Sequence, residues 1–144
     1  MDILHYQADL YAFKDVTEMS TITSTHKQIS CFLLHQQEVS RWSLKDLCKS
    51  VVDYENNDKG RIFGVNIGIF PARLIFPVIV SKATSSETTV FLDEYNPSTP
   101  QQYVHPVLVN LENRKVRHHT GLMFWGATYR RIMNNFVSKY LLPE

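Results

Sequence analysis

The first third of the chain changes its pattern of apolar and polar positions twice. Residues 2–15 repeat apolar side chains at helical spacing behind Asp2, a good capping residue, and this predicts an amphipathic helix. Residues 17–25 are dense in serine and threonine and indicate a loop or a solvated strand. Residues 27–35 form a short apolar run of strand length. The apolar positions of the predicted first helix are Ile3, Tyr6, Leu10 and Phe13.

A second helix is predicted to begin behind Ser43 and to end near Asp53. Ser43 can serve as the N-cap, with the acidic residue Asp46 three positions later. The apolar residues that follow fall on one side of a helix, which is typical of an element packed on a core. These residues are Leu44, Leu47, Cys48, Val51 and Val52.

From Arg61 onward the period of the apolar positions changes to two, as in strands. Residues 61–69 alternate branched side chains with Gly64, Asn66 and Gly68, so one face of this predicted strand carries small residues. Residues 74–80 alternate in the same way. Pro77 lies within that second strand and favours an edge or bulge position, because proline cannot donate to the ladder.

Turn-forming residues divide the next part of the chain into further strands. The prediction runs as a turn at 83–87, a strand at 88–95, a loop at 96–100, a strand at 103–111, a turn at 112–114 and a strand at 115–119. The last part carries one apolar stripe with polar residues opposite, which predicts a long helix that ends at Pro143. The stripe consists of Leu122, Trp125, Tyr129, Ile132, Met133, Phe136 and Tyr140.

This order of elements predicts the α+β class in a single globular domain over residues 1–144. The expected sheet is mainly antiparallel, with about five to six strands. An N-terminal helix, a middle helix and a long C-terminal amphipathic helix are expected to cover one face of it. At 144 residues the chain is long enough to bury one core.

Composition places the chain among ordinary soluble proteins. Hydrophobic residues make up 44% and charged residues 20%, which is not the composition of a disordered chain. The most apolar run, residues 62–80, is interrupted by polar residues, glycine and proline, so no membrane span is predicted. The start of the chain lacks the basic segment of a secretory signal. Cys31 and Cys48 both lie among apolar neighbours, which favours free thiols in the reducing cytoplasm.

Charge is distributed unevenly along the chain. Residues 101–144 carry six Lys and Arg against two Asp and Glu, whereas residues 1–100 carry nine against twelve. With Val116 and His118 facing inward, Lys115, Arg117 and His119 form an outward basic row. This row can be a solvated sheet surface or an anion-binding patch for phosphate, nucleic acid or an acidic protein.

The sequence offers no convincing catalytic, cofactor or metal site. His118 and His119 are adjacent, and on a regular strand they point to opposite faces, so one metal ion cannot take both. Cys31 and His35 are four residues apart on a predicted strand, too far for a nucleophile and its base. The chain lacks a phosphate-binding glycine loop and a glycine-flanked serine. Catalysis is therefore not predicted, although it is not excluded.

A separate hypothesis concerns His105 and a pocket beside it. It shares a predicted strand face with Tyr103 and would project into the core or into a pocket. Asn66, on the small-residue face of another strand, could complete such a pocket. The alternative is a core histidine with a backbone hydrogen bond.

The C-terminal segment combines aromatic residues with arginine, which is the composition of an interface hot spot. The residues expected to bind a partner or a second copy are Phe124, Trp125, Arg130 and Arg131. Three functions remain open from the sequence. The first is a non-enzymatic protein-interaction module that uses the C-terminal helix and the adjacent basic strand. The second is binding of nucleic acid or another polyanion through the basic C-terminal third. The third is a small-ligand protein or enzyme built around His105.

Overall fold

The computed structural model describes residues 2–3, 6–19, 24–59, 72–99, 102–121 and 129–142. Within these ranges three strands precede the first helix, one strand separates the first two helices, and three strands precede the last helix. The strands are β1 (Asp2–Ile3), β2 (Tyr6–Met19), β3 (Ser24–Val39), β4 (Ala72–Thr84), β5 (Gln102–Val104), β6 (Val107–Asn110) and β7 (Lys115–His118). The helices are α1 (Arg41–Tyr54), which continues into a π-helical turn at Glu55–Lys59, α2 (Ser86–Glu94) and α3 (Arg130–Tyr140).

The described strands form one mixed sheet in the order β1-β2-β3-β4-β6-β7, and the short β5 also pairs with β4. The centre is parallel: β3 pairs with β4, and β4 pairs with β5 and β6 in the same direction. Antiparallel hairpins flank this centre, β2 with β3 on one side and β6 with β7 on the other. Parallel neighbours need a crossover connection, and α1 and α2 lie in the two crossovers.

Both faces of the sheet are covered by helices. Alternate residues of β4 divide between two cores, with Ile75 and Ile79 on one side and Leu74, Phe76 and Val78 on the other. The first core contains the buried side chains of α1 and α2, and the second contains those of α3. Because β4 is buried on both faces, its apolar run is nearly continuous, as is usual for a central parallel strand.

This architecture corrects the predicted fold. The sheet is not mainly antiparallel, and the helices do not cover one face only. The described C-terminal helix begins at Arg130 and is short, while residues 122–128 of the predicted long helix lie outside the described residues. The strand predicted at residues 61–69 also lies outside them.

The predicted N-terminal helix is wrong, because residues 2–3 and 6–19 are the strands β1 and β2. β2 pairs with β3 from Ala8 opposite Leu34 to Met19 opposite Ser24. Tyr11 packs on Phe32 across this pair, with 4.8 Å between the ring centroids. Apolar spacing that allows a helix is thus overridden by cross-strand pairing with a segment later in the chain.

The helix α1 is confirmed, but its cap lies three residues before the predicted one. Ser40 is the N-cap, and its hydroxyl oxygen accepts a hydrogen bond from the amide of Ser43 at 3.2 Å. The hydroxyl oxygen of Ser43 accepts in return from the amide of Ser40 at 2.9 Å. The buried side follows the predicted positions closely, with Leu44, Leu47, Cys48 and Val51 in the core.

The strand predicted at residues 88–95 is also wrong, because this segment is the helix α2. Its N-cap Ser85 lies in the predicted turn, and the Ser85 hydroxyl oxygen accepts from the amide of Thr88 at 3.1 Å. The hydroxyl of Thr88 donates to the carbonyl of Val39 at 3.1 Å, which ties α2 to the end of β3. Only Thr88 and Leu92, four residues apart, are buried in α2, so the burial has a helical period.

Pro77 lies in a central strand and not at an edge. It pairs with Phe32 of β3 on one side. On the other side β4 pairs with β5 up to Ile75 and with β6 from Val78 onward. The carbonyl of Ile75 points to that side, where it accepts from the amide of His105 at 2.8 Å, so the missing N–H of Pro77 faces the same break. A central proline is tolerated here because the neighbouring strand is interrupted opposite to it.

Candidate functional site

The carboxyl ends of the parallel strands form an edge where a ligand can bind. β3, β4 and β6 end at Val39, Thr84 and Asn110, and the helices α1 and α2 begin directly after the first two. Ligands of parallel sheets usually bind beyond this edge. A groove of about 370 Å³ lies there, between α2 and the β6–β7 hairpin, and we name it the edge groove. Its lining consists of Thr84, Ser86, Thr89, Val90, Leu108, Asn110, Asn113, Lys115 and Arg117.

Two cations of β7 line the edge groove. The pairing of β6 with β7 places Lys115 opposite Asn110 and Arg117 opposite Leu108, and both cationic side chains are exposed. Val116, between them, belongs to the core on the other face. The prediction that Lys115 and Arg117 face outward is therefore confirmed.

The turn of the β6–β7 hairpin is held by its own side chains. The amide oxygen of Asn110 accepts from the backbone amides of Glu112 at 3.0 Å and Asn113 at 3.2 Å. Arg114 then adopts a left-handed conformation, with φ of 54°. These contacts fix the position of Lys115 at the start of β7, so the groove is formed before any ligand arrives.

The lining of the edge groove suits an anion. Among the described residues it contains Lys115 and Arg117, neutral hydroxyl and amide groups, and no aspartate or glutamate. The hydroxyl oxygen of Thr84 is buried without a hydrogen-bond partner among the described residues. Buried polar atoms are normally paired, so this unpaired hydroxyl beside the groove is unusual.

His119 does not belong to the basic row, contrary to prediction. β7 ends at His118, so the alternation of the strand does not extend to His119, which is 3% exposed. The amide of Gly121 donates to the carbonyl oxygen of Asp93 at 3.1 Å and turns the chain toward α2. A Cβ at Gly121 would lie 2.7 Å from that oxygen and 3.2 Å from the His119 ring, so the turn requires glycine.

His105 and His118 lie together on the other face of the hairpin, and His119 is near enough to lower their pKa values; we name these three residues the histidine cluster. Nε2 of His105 lies 3.1 Å from Nδ1 of His118, at hydrogen-bond distance. His105 is completely buried, and three ring nitrogens lack partners among the described residues: Nδ1 of His105 and both nitrogens of His119.

Burial disfavours the protonated forms of His105 and His118. It is the largest cause that lowers the pKa of His105 to about 3, and the positive forms of His118, His119 and Arg130 lower it further. Burial is also the largest cause that lowers the pKa of His118, against an opposing contribution from the Asp93 carboxylate. Protonation of an imidazole is unfavourable when the ring is buried near an arginine.

The structure describes two of the three residues of the predicted pocket, Tyr103 and His105. Asn66 lies outside the described residues. His105 has no exposed surface and packs edge-on against Phe76, with 5.8 Å between the ring centroids. Tyr103 packs on Tyr129 at 4.5 Å instead of joining His105. Among the described residues His105 therefore belongs to the packed interior.

The two described residues of the predicted partner surface, Arg130 and Arg131, lie in different environments. Arg130 donates to the carbonyl of Thr120 and lies near the histidine cluster, whereas Arg131 is exposed. Phe124 and Trp125 lie outside the described residues.

An exposed tryptophan on α1 was not singled out by the sequence reasoning. Trp42 is 65% exposed, with the Arg41 guanidinium 4.8 Å and the Lys45 ammonium 5.5 Å from its ring centroid. A second groove, of about 420 Å³, lies between α1 and α2 with Arg41 in its lining, and we name it the helix groove. Its lining consists of Arg41, Ser86, Glu87, Val90, Phe91 and Glu94. Trp42 directly precedes Ser43, the predicted N-cap, so the prediction placed it outside the helix.

The described part of the chain gives little support for a reactive cysteine, a metal site or a membrane-spanning helix. Burial raises the pKa of the Cys31 thiol to about 11 and that of the Cys48 thiol further, which makes both poor nucleophiles. The described residues contain no group of three or more His, Cys, Asp or Glu side chains arranged for one metal ion. None of the described helices is long and apolar enough to cross a membrane.

Comparison with known proteins found no matching family model, no matching curated protein and no matching solved structure.

Proposed function

We propose that this protein binds an anionic ligand in the edge groove. The observation that carries the proposal is the pair Lys115 and Arg117 on one wall of a groove whose described lining residues include no carboxylate. Arginine binds phosphate or carboxylate oxygens in a bidentate manner, and lysine adds a mobile point charge. The hydroxyl and amide groups of the same lining can donate further hydrogen bonds to the ligand. The ligand class is a molecule or polymer that bears phosphate or carboxylate groups.

Binding of inorganic polyphosphate to the purified protein at several salt concentrations tests this proposal. The double variant Lys115→Gln/Arg117→Gln should bind at least about tenfold more weakly, and its affinity should depend less steeply on salt. The matched control is Arg131→Gln/Lys139→Gln, which removes two exposed cations of α3 and should bind as the wild type does. Equal losses in both variants, or no binding by the wild type, would contradict the proposal.

A protein-interaction role for α3 is a second candidate. Tyr140 and Leu142 are 61% and 46% exposed, and the ammonium of Lys139 lies 5.1 Å from the Tyr140 ring centroid. Exposed aromatic and apolar side chains beside cations are common at interfaces. A dimer mass in light scattering that persists in high salt and is lost in Tyr140→Ala would support self-association through this surface. A monomer mass at every concentration would remove it.

We further propose that the protein works in the reducing cytoplasm, since Cys31 and Cys48 are both free thiols. Fractionation of cells that express a tagged chain, combined with thiol labelling, tests this location. Recovery in an oxidising compartment would contradict it.

A further inference from the structure

Trp42 is placed as a stacking surface and not as part of the core. The buried side of α1 is supplied by Leu44, Leu47, Cys48 and Val51, and Trp42 lies in the first turn outside that side. Leaving most of an indole in water forgoes apolar burial, so an exposed tryptophan is a frequent mark of a contact surface. The cations of Arg41 and Lys45 lie close to its ring.

The edge groove and the helix groove are two parts of one surface. Ser86 and Val90 line both of them, and these residues are one helical turn apart in α2. The ridge between the grooves is therefore a single helix turn. A flexible ligand can place one part beside Lys115 and Arg117 and another beside Arg41 and Trp42.

Cations continue along the outer side of α1. Arg41, Lys45 and Lys49 recur every four residues and are all exposed, so they form one row on the helix. The carboxylate of Glu87 pairs with the Arg41 guanidinium at 3.4 Å. The negative charge of Glu87 is thus partly neutralised at the wall of the helix groove.

Resting on the proposed function of the edge groove, we infer that the anionic ligand is single-stranded nucleic acid. Its phosphates contact Lys115 and Arg117, and one base stacks on Trp42. Proteins bind single strands with this combination of a cationic groove and aromatic side chains, because every base offers a flat face to an aromatic ring. A duplex keeps its bases stacked and cannot offer that face, so the surface favours single strands.

Titration with a short oligothymidylate tests the inference. Trp42→Ala should weaken oligothymidylate binding about tenfold or more, as expected for loss of one stacked base, and leave polyphosphate binding unchanged. Trp42→Phe should retain most of the affinity. In a Trp125→Phe background Trp42 is the only tryptophan of the chain, and its fluorescence should be quenched on oligothymidylate binding. Circular dichroism melting of Trp42→Ala should match that of the wild type, because the side chain is exposed.

The outcomes separate the two ideas. If Lys115→Gln/Arg117→Gln loses polyphosphate binding but Trp42→Ala still binds oligothymidylate normally, the nucleic-acid inference is wrong and the anion groove stands. If polyphosphate binding survives Lys115→Gln/Arg117→Gln, the proposed function itself fails. Binding of duplex DNA as tightly as of oligothymidylate, or a Trp42-dependent protein complex without nucleic-acid binding, would also overturn the inference.

Discussion

The ionisable residues on the two faces of the β6–β7 hairpin lie in opposite environments, one exposed and one buried. On one face Lys115 and Arg117 line the edge groove and stay exposed. On the other, His105 and His118 lie 3.1 Å apart beneath α3 and are kept neutral by burial. Alternation along a strand of four residues, β7, is sufficient to separate these two environments.

The comparison teaches that a basic segment in the sequence is not one basic surface. Exposed cations have little effect on the stability of the fold and are free to bind a ligand. Buried imidazoles without partners lose the hydrogen bonds of water, so they affect stability strongly and bind no external anion while they stay buried. The groove should therefore respond to mutation in binding, and the histidine cluster should respond in stability.

The largest expected effect is the removal of Phe76, which supports the histidine cluster. Phe76 is fully buried, stacks on Phe136 at 4.2 Å between ring centroids and contacts His105. Phe76→Ala should lower the free energy of unfolding by about 3–5 kcal/mol in urea denaturation. Phe76→Leu, a milder change in case the alanine variant does not fold, should lose less.

The matched control for this prediction is Val90→Ala. Val90 is 61% exposed on the groove side of α2, and its truncation should change stability by no more than about 0.5 kcal/mol. A similar loss in Phe76→Ala and Val90→Ala would mean that the two faces of the hairpin are not as different as described.

The next largest effect is the dependence of stability on pH. The unfolded chain protonates His105 near its ordinary pKa of 6.5, whereas the folded chain resists protonation until about pH 3. Between these values the unfolded state binds more protons, so stability is complete above pH 6.5 and is lost as the pH falls. Urea denaturation should show a loss of about 2 kcal/mol from His105 between pH 7 and 5.

Other groups contribute to the same pH range. His118 adds to the loss because its pKa is also lowered, while Glu55 acts in the opposite direction because burial raises its pKa. His119, Arg130 and Asp93 are the remaining charged or titratable groups that act on the cluster. The difference between wild type and His105→Gln isolates the effect of His105, and His35→Gln, at an exposed position of β3, controls for removing an imidazole as such. A pH slope that His105→Gln leaves unchanged would refute the assignment.

A feature could be predicted from the sequence when the contacts that determine it join residues close to one another along the chain. The buried side of α1 and the outward direction of Lys115 and Arg117 follow from the period of neighbouring residues, and both were predicted. β2 was mistaken for a helix because its apolar residues also fit helical spacing, while its pairing with β3 extends as far as Ala8 with Leu34, 26 positions apart, which the spacing within residues 2–15 does not show. The parallel pairing of β3 with β4 is non-local in the same way.

In the candidate site, too, the features that depend on distant contacts could not be predicted from the sequence. His105 and His118 come together only because the hairpin pairs Val107 with His118. α2 was mistaken for a strand because consecutive β-branched residues favour strands, while the decisive contact of Thr88 with the carbonyl of Val39 lies 49 residues away. The edge groove needs the ends of both β4 and β6, so no single segment could reveal it.

A smaller effect is expected at the capped end of α2, which forms one border of the edge groove. The hydroxyl oxygen of Ser85 lies 2.8 Å from that of Thr88 and accepts from its amide. Ser85→Ala should cost about 1 kcal/mol of unfolding free energy. Ser86→Ala, one residue into the helix and not the cap, is the control for stability. Equal losses in both would show that the cap is not the reason.

The smallest effect on stability is expected from the charges that matter most for binding. Lys115→Gln/Arg117→Gln should change the free energy of unfolding by no more than about 0.5 kcal/mol, because exposed cations gain little from the folded state. Its dependence of stability on pH should match that of the wild type, since neither side chain is among the charges that lower the pKa values of the histidine cluster. The same variant should lose polyphosphate binding, so binding and stability would respond separately on the two faces of one hairpin. Urea denaturation at pH 7 and 5 measures both expectations. A clear loss of stability in this variant would mean that the groove cations support the fold, and that weaker binding reports partial unfolding instead of a missing contact.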